Sequence, residues 1–207
     1  MVLPTSPAAT AARPWPCATL LAEHLTHTAS TIAGRSVIEL GSGVGAAALA
    51  AASAGARHIC LTDLPENLPQ LHQAAAQHHA DAGASVTSMA NAKVSVLALD
   101  WTAPLPASVA AERFDLILCA DCVFWPELFS PLLSTLGALC TDGQQRVLLA
   151  AMDRQGRARA FVDAASAAGW VTTRLDWPSP RRALREGSLE ALRREQCHLY
   201  EMRRGTV

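Results

Sequence analysis

Lysine is almost missing from this 207-residue chain: Lys93 is the only one, so its basic character is carried by arginine. A surplus of positive charge is missing as well. Lysine and arginine together number 17 against 18 acidic residues, a net charge of −1, which argues against a general nucleic-acid binder. No apolar run reaches the length of a membrane span, so no membrane partner is expected. The first residues lack a basic start followed by an apolar stretch, and no secretory signal is expected. G-x-S-x-G and H-E-x-x-H do not occur, which leaves hydrolase and zinc-protease readings without support. Cys119-x-x-Cys122 has no second cysteine pair at zinc-finger spacing and no histidine close in sequence. The six cysteines are therefore expected to be free thiols in a reducing compartment, the cytoplasm and also the nucleus, with organellar targeting left open, and no metal is expected.

Half of the residues are apolar, enough for one domain with a sizeable core. The alanine-biased stretch 1–14 reads as a flexible tail and 15–207 as a single domain. Residues 181–204 hold seven arginines against four glutamates. A solvated helix face is the preferred reading of that segment, and a docking surface for an acidic protein or RNA the other. Strand patterns fall at Val37–Leu40, His58–Thr62, Val94–Ala98, Phe114–Cys119, Arg146–Ala151, Val171–Leu175 and Cys197–Met202. Helical patterns fall at Thr19–Thr28, Ala46–Ala54, Leu68–Asp81, Glu127–Leu139 and Arg157–Ala168. "FDLILCA" and "RVLLAAM" are short continuous apolar runs, as inner strands of a parallel sheet have. The alternation predicts an α/β fold, a doubly wound, Rossmann-like seven-stranded sheet, and the irregular link before the last strand suggests that this strand is antiparallel.

In such a sheet ligands sit at the carboxyl ends of the strands. The first strand ends in "ELGSGVGA", where Gly41, Gly43 and Gly45 allow a sharp turn and close approach of backbone to a ligand at a helix N-terminus. The turn matches the G-x-G-x-x-A of dinucleotide binders and equally the E-x-G-x-G-x-G of S-adenosylmethionine-dependent methyltransferases, so taken alone it leaves both open. The second strand ends with Asp63, 18 residues after Gly45, an acceptor suited to ribose hydroxyls. The third ends with Asp100 and Trp101, an acceptor beside a large π face that can stack on adenine or cap the core. The fourth ends with Ala120, a small residue, then Asp121 and, three positions on, Phe124. Asp121 can alternatively cap the helix that follows.

Taken in order, "WP…LAEHL", "GRSVIELGSGVGAAALAAASAGARHICLTDLPENLPQL", "LALDW" and "FDLILCADCVFWPELFSPLLSTL" resemble the lysine methyltransferase-like group of the seven-β-strand methyltransferases, over about Trp15 to Met202. The resemblance implies S-adenosyl-L-methionine as cofactor, held by Trp15, by Glu39 and the turn Gly41, Ser42, Gly43 and Gly45, by Asp63, by Asp100 and Trp101, and by Ala120. It implies that Asp121 and Phe124, as D-x-x-F, receive the lysine ε-amine of a protein substrate. Histidine, arginine or a small molecule are alternative acceptors, and a catalytically silent binding module is the alternative from another class. Phe124 stands where many members carry tyrosine, which removes a phenolic hydroxyl from the acceptor end. Nucleic-acid adenine methyltransferases often place two prolines inside this motif. Here Cys122 and Val123 occupy those positions, so base methylation is the less favoured reading.

Overall fold

The computed structural model describes residues 14–83, 92–177 and 196–205. Seven strands form one sheet: β1 (Ser36–Leu40), β2 (His58–Asp63), β3 (Lys93–Ala98), β4 (Leu116–Ala120), β5 (Arg146–Met152), β6 (Trp170–Leu175) and β7 (Cys197–Arg204). Their order is β3-β2-β1-β4-β5-β7-β6. The first five are parallel, and β7 runs antiparallel between β5 and β6. The helices are α1 (Pro16–His27), α2 (Ala29–Ile32), α3 (Ala46–Ser53), α4 (Leu68–Gly83), α5 (Ala107–Ala110), α6 (Phe129–Leu139) and α7 (Arg157–Ala167). Among the described residues, no helix is long and apolar enough to cross a membrane.

The pleat divides the core in two, because successive side chains of a strand point to opposite faces. Val37, Leu61, Leu118 and Leu148 face α1 and α3, packing with Leu21, Leu25, Ala47 and Ala51. Ile38, Ile117, Leu149 and Ala151 face α6 and α7, packing with Leu132, Leu136 and Phe161. Alanine dominates α3 because that helix packs closely against both the sheet and α1, which lies beside it on the same face: Ala47, Ala48 and Ala51 are fully buried. The chain runs outward from β1 to β3 and returns through β4 on the other side of β1. That reversal opens a crevice above the carboxyl ends of β1 and β4.

The expected sheet with an antiparallel last strand is what forms. Boundaries shift where proline acts. The first helix starts at Pro16 and not near Thr19, since a proline at the first helical position loses an N–H that has no partner there anyway. The helix expected from Glu127 begins at Phe129, after a 3-10 turn over Pro126–Leu128. The fourth strand starts at Leu116, two residues later than expected, and Asp115 instead accepts the Ser36 N–H on its Oδ2 at 2.7 Å. The expected tail at 1–14 and the arginine-rich segment lie largely outside the described residues.

Gly45 is the junction between the turn and α3, with φ +74°. A β-carbon there would lie 2.9 Å from Leu61 Cδ2 and 3.3 Å from Leu71 Cδ1, both in the core. Gly45→Ala should therefore lose about 2–4 kcal/mol in chemical denaturation, from left-handed strain plus overpacking. Gly143→Ala, at φ +71° with nothing within 4 Å of the added carbon, should lose only about 1–2 kcal/mol. Equal losses would show that Gly45 is not pressed against the core.

Candidate functional site

A cleft of about 360 Å³ opens over the carboxyl ends of β1, β2, β3 and β4. Trp15, Glu39, Gly41, Ser42, Gly43, Asp63, Asp100, Trp101, Ala120, Asp121 and Phe124 all line it. Of the expected site residues only Gly45 does not. It is spent on the left-handed entry to α3, and its Cα side faces Leu61 and Leu71.

The glycine turn is tied down from both sides. Ser42 N donates to Thr62 O at 2.9 Å, and its Oγ donates to Glu39 O and accepts from Thr62 N. Ser42 therefore staples the turn to β2. Asp63 does the same with charge. Its Oδ2 accepts the Gly43 N–H at 2.7 Å, and its Oδ1 accepts from Leu64 N and Asn67 Nδ2, both at 2.8 Å. A carboxylate offers about four acceptor positions, so most of Asp63 braces its own loop and the remainder faces the cleft. Gly41 has φ +64°, and a β-carbon on it would lie 3.2 Å from Trp101 Cζ2. The indole thus rests on bare backbone, and it also packs on the rim of the core. The expected core contact of Trp101 is therefore present, and the indole also lines the cleft.

Asp100 Oδ1 accepts from Thr102 Oγ1 at 2.7 Å and Thr102 N at 2.8 Å, and the hydroxyl first, then the N–H, hold its carboxyl below the usual range. Glu39 is 1% exposed, and its Oε2 accepts the Ala48 N–H of the first turn of α3 at 3.0 Å. Burial pushes its carboxyl up to about 8, with the Ala48 N–H opposing and the charge of Asp63 adding.

Asp121 takes left-handed backbone, φ +61°, unusual for a residue with a β-carbon. It does not cap the next helix: neither the 3-10 turn nor α6 has a side-chain cap. Its carboxylate is instead gripped by Arg154, Nη1 to Oδ1 at 2.9 Å and Nη2 to Oδ2 at 2.8 Å. Burial works against the charge on Arg154, but the hydrogen bonds to Asp121, together with the charge of Asp121 and the nearby Cys17 and Cys197, outweigh it and raise its pKa. Phe124 stacks edge-on against Trp125 and carries guanidinium groups of Arg154 and Arg157 near its ring, at 5.5 and 4.8 Å. Arg154 and Asn67 escaped the sequence reading. Arg154 stands just past the carboxyl end of β5, where the rule applied to the first four strands would have found it. Asn67 stands one helical turn after Asp63.

Cys119 is buried and Cys122 Sγ–H points to Leu40 O at 3.1 Å. The neighbouring Cys119 and burial push the Cys122 thiol well up. Among the described residues, no group of three or more His, Cys, Asp and Glu could hold a metal ion.

A family model described as lysine methyltransferase matches residues 5–168. The chain belongs to the lysine methyltransferase family. Within that family's reach, mouse protein N-lysine methyltransferase METTL21A is 33% identical over 148 residues, 72% of this chain and 63% of that protein. Rat histone-arginine methyltransferase METTL23 is 32% identical over 123 residues, 59% of this chain and 50% of that protein. The chain thus spans from half to somewhat under two thirds of the length of these relatives. A methyltransferase structure from Pyrococcus furiosus superposes with a TM-score of 0.60, at 14% identity, over 91% of this chain and 84% of its own. Magnesium protoporphyrin IX methyltransferase from Synechocystis PCC 6803 with bound SAM gives 0.54, at 14% identity, over 89% and 78%. At such identity these structures bear on the fold.

S-adenosylmethionine is the cofactor that membership in the lysine methyltransferase family implies, and the residues present fit it. Bare backbone at Gly41 beside Trp101, the Asp63 carboxylate and a mostly apolar cleft supply close approach, a hydroxyl acceptor and a π face.

Glu39 also makes stability depend on pH. Folded, its carboxyl keeps a proton up to about 8; unfolded, it releases that proton near 4.5. Stability should fall as pH climbs between those values. Glu39→Gln, which keeps an acceptor for Ala48, should flatten this slope. Denaturation at pH 5 and pH 8 should show the variant gaining on the wild type by a few kcal/mol, roughly, at the higher pH; a constant difference would mean that Glu39 titrates normally.

Proposed function

We propose that the chain is an S-adenosylmethionine-dependent methyltransferase that acts on a protein side chain, the lysine ε-amine, with a reducing compartment such as the cytoplasm as its location. One observation carries this reading: Asp121 and Phe124 line the same cleft as Glu39, the glycine turn, Asp63 and Trp101. An acid–aromatic pair suited to a cationic side chain therefore shares a cavity with groups suited to a nucleoside.

The cofactor supplies an electrophilic methyl on a sulfonium, so the work left to the chain is positioning and desolvation. Asp63 would accept from ribose hydroxyls and Trp101 would cover the adenine. Ala120, between the turn and Asp121, leaves room for the cofactor to pass. A lysine of pKa about 10.4 is roughly 0.1% neutral near pH 7.4, and producing the nucleophile costs about 4 kcal/mol. The apolar walls around Phe124 favour the neutral amine. Asp121 favours the ammonium, and its role is to capture and aim the incoming group. A guanidinium acceptor is the second reading, favoured by the fact that Asp121 already holds one, that of Arg154.

Calorimetry should show binding of S-adenosylhomocysteine and none of NAD; the reverse would end the proposal. Asp63→Ala should weaken that binding by about 1.5–3 kcal/mol and also lower the melting temperature, because the Gly43 N–H loses its acceptor. Incubation with labelled cofactor and a protein extract, followed by mass spectrometry, should place the label on lysine. Label on arginine alone would replace the acceptor while leaving the cofactor site standing.

A further inference from the structure

Arg154 sits where an acceptor side chain would have to arrive. It leaves β5 at a turn in which Gln155 and Gly156 both take left-handed backbone, φ +57° and +75°. Its two parallel hydrogen bonds to Asp121 use the full fork of the guanidinium. Its Cζ lies 5.5 Å from the ring centroid of Trp15 and 5.5 Å from that of Phe124, within the roughly 6 Å reach of a cation–π contact. The Arg154 and Asp121 side chains are 16% and 7% exposed. Two separate parts of the chain, the residue ahead of α1 and the turn after β4, thus converge on a cation supplied by a third, the turn after β5. Two aromatic faces and a carboxylate are what a cage for an alkylammonium or guanidinium group consists of.

We propose that Arg154 is the resident occupant of the acceptor-cation subsite, and that a substrate side chain binds Asp121 between Trp15 and Phe124 by displacing the chain's own guanidinium. The identity of the acceptor rests on the methyltransferase reading, whereas the occupied cage does not. Arg154 then determines specificity. A guanidinium matches a carboxylate with two bonds and a flat face, and a free ammonium offers a single point charge. A small amine alone competes poorly. A side chain carried on a docked protein can use binding energy from the rest of that protein to complete the exchange. Selection comes from a built-in competitor rather than from a tighter fit to the right substrate. Arg157 keeps the cage in shape during the exchange, since it donates to Phe124 O at 3.1 Å and lies 4.8 Å from the ring centroid.

The test titrates n-butylammonium, the lysine side chain without its backbone, into the full chain with and without S-adenosylhomocysteine, following heat and tryptophan fluorescence. Arg154→Gln should bind it at least about tenfold more tightly than the wild type. Adding Asp121→Asn to that variant should abolish the gain. Arg154→Lys, a weaker competitor for the same carboxylate, should fall between wild type and Arg154→Gln, and it serves alone if the glutamine variant does not fold. No gain in either variant, or a gain that survives loss of Asp121, overturns the proposal. Failure of S-adenosylhomocysteine to bind while the butylammonium gain persists would remove the methyltransferase reading and leave the occupied cage in place.

Discussion

The hydrogen bond from Gly43 N to the Asp63 carboxylate fixes the floor of the cleft. It joins the end of β2 to the turn after β1, and everything above it takes position from that tie. With the turn pinned, Gly41 presents bare backbone to Trp101, Gly45 can enter α3, and the first turn of α3 can donate Ala48 N–H to Glu39. Asp63 reaches the turn because β1 and β2 are parallel and in register, Leu40 beside Thr62. Asn67 and Leu64 N hold the other carboxylate oxygen, so the group can bear on a ligand without rotating away.

The two ends of the cleft use charge differently. At the end proposed for the nucleoside the carboxylates are spread out: Asp63 braces, Asp100 is occupied by Thr102, and burial pushes the Glu39 carboxyl up to about 8. At the end proposed for the acceptor a carboxylate and two guanidinium groups crowd around one aromatic ring. Arg154 neutralises Asp121 in place, and the pair is mostly out of water. Breaking such a pair without replacing the cation would strand a buried charge. Exchange of one cation for another is therefore the natural way for this end to open.

Much of this was legible in the chain. The apolar runs, the glycine turn and the residues at strand ends identify the sheet, its antiparallel last strand and ten of the residues that line the cleft beside Trp15. What escaped depends on tertiary geometry. Gly45 looks identical to Gly41 and Gly43 in sequence, and only the packing of Leu61 and Leu71 assigns it to the core. The strand-end rule reaches the position of Arg154, but its grip on Asp121 joins residues 33 positions apart, and no local pattern signals that pairing. Asp121 could be read as a helix cap because nothing in "ADCVFWPEL" reveals its left-handed backbone. The start of α1 at Pro16 and the 3-10 turn opened by Pro126 ahead of α6 were within reach of local rules.

Hydrogen exchange on the full chain, with and without S-adenosylhomocysteine, tests the central claim that the braced turn and the strand ends around it form a nucleoside site. Ligand should slow exchange in residues 41–45, 63–67 and 99–102 together, and leave the amino ends of the strands, such as 57–59 and 93–95, unchanged. Protection confined to α6 and α7, or none in 41–45, would contradict the account.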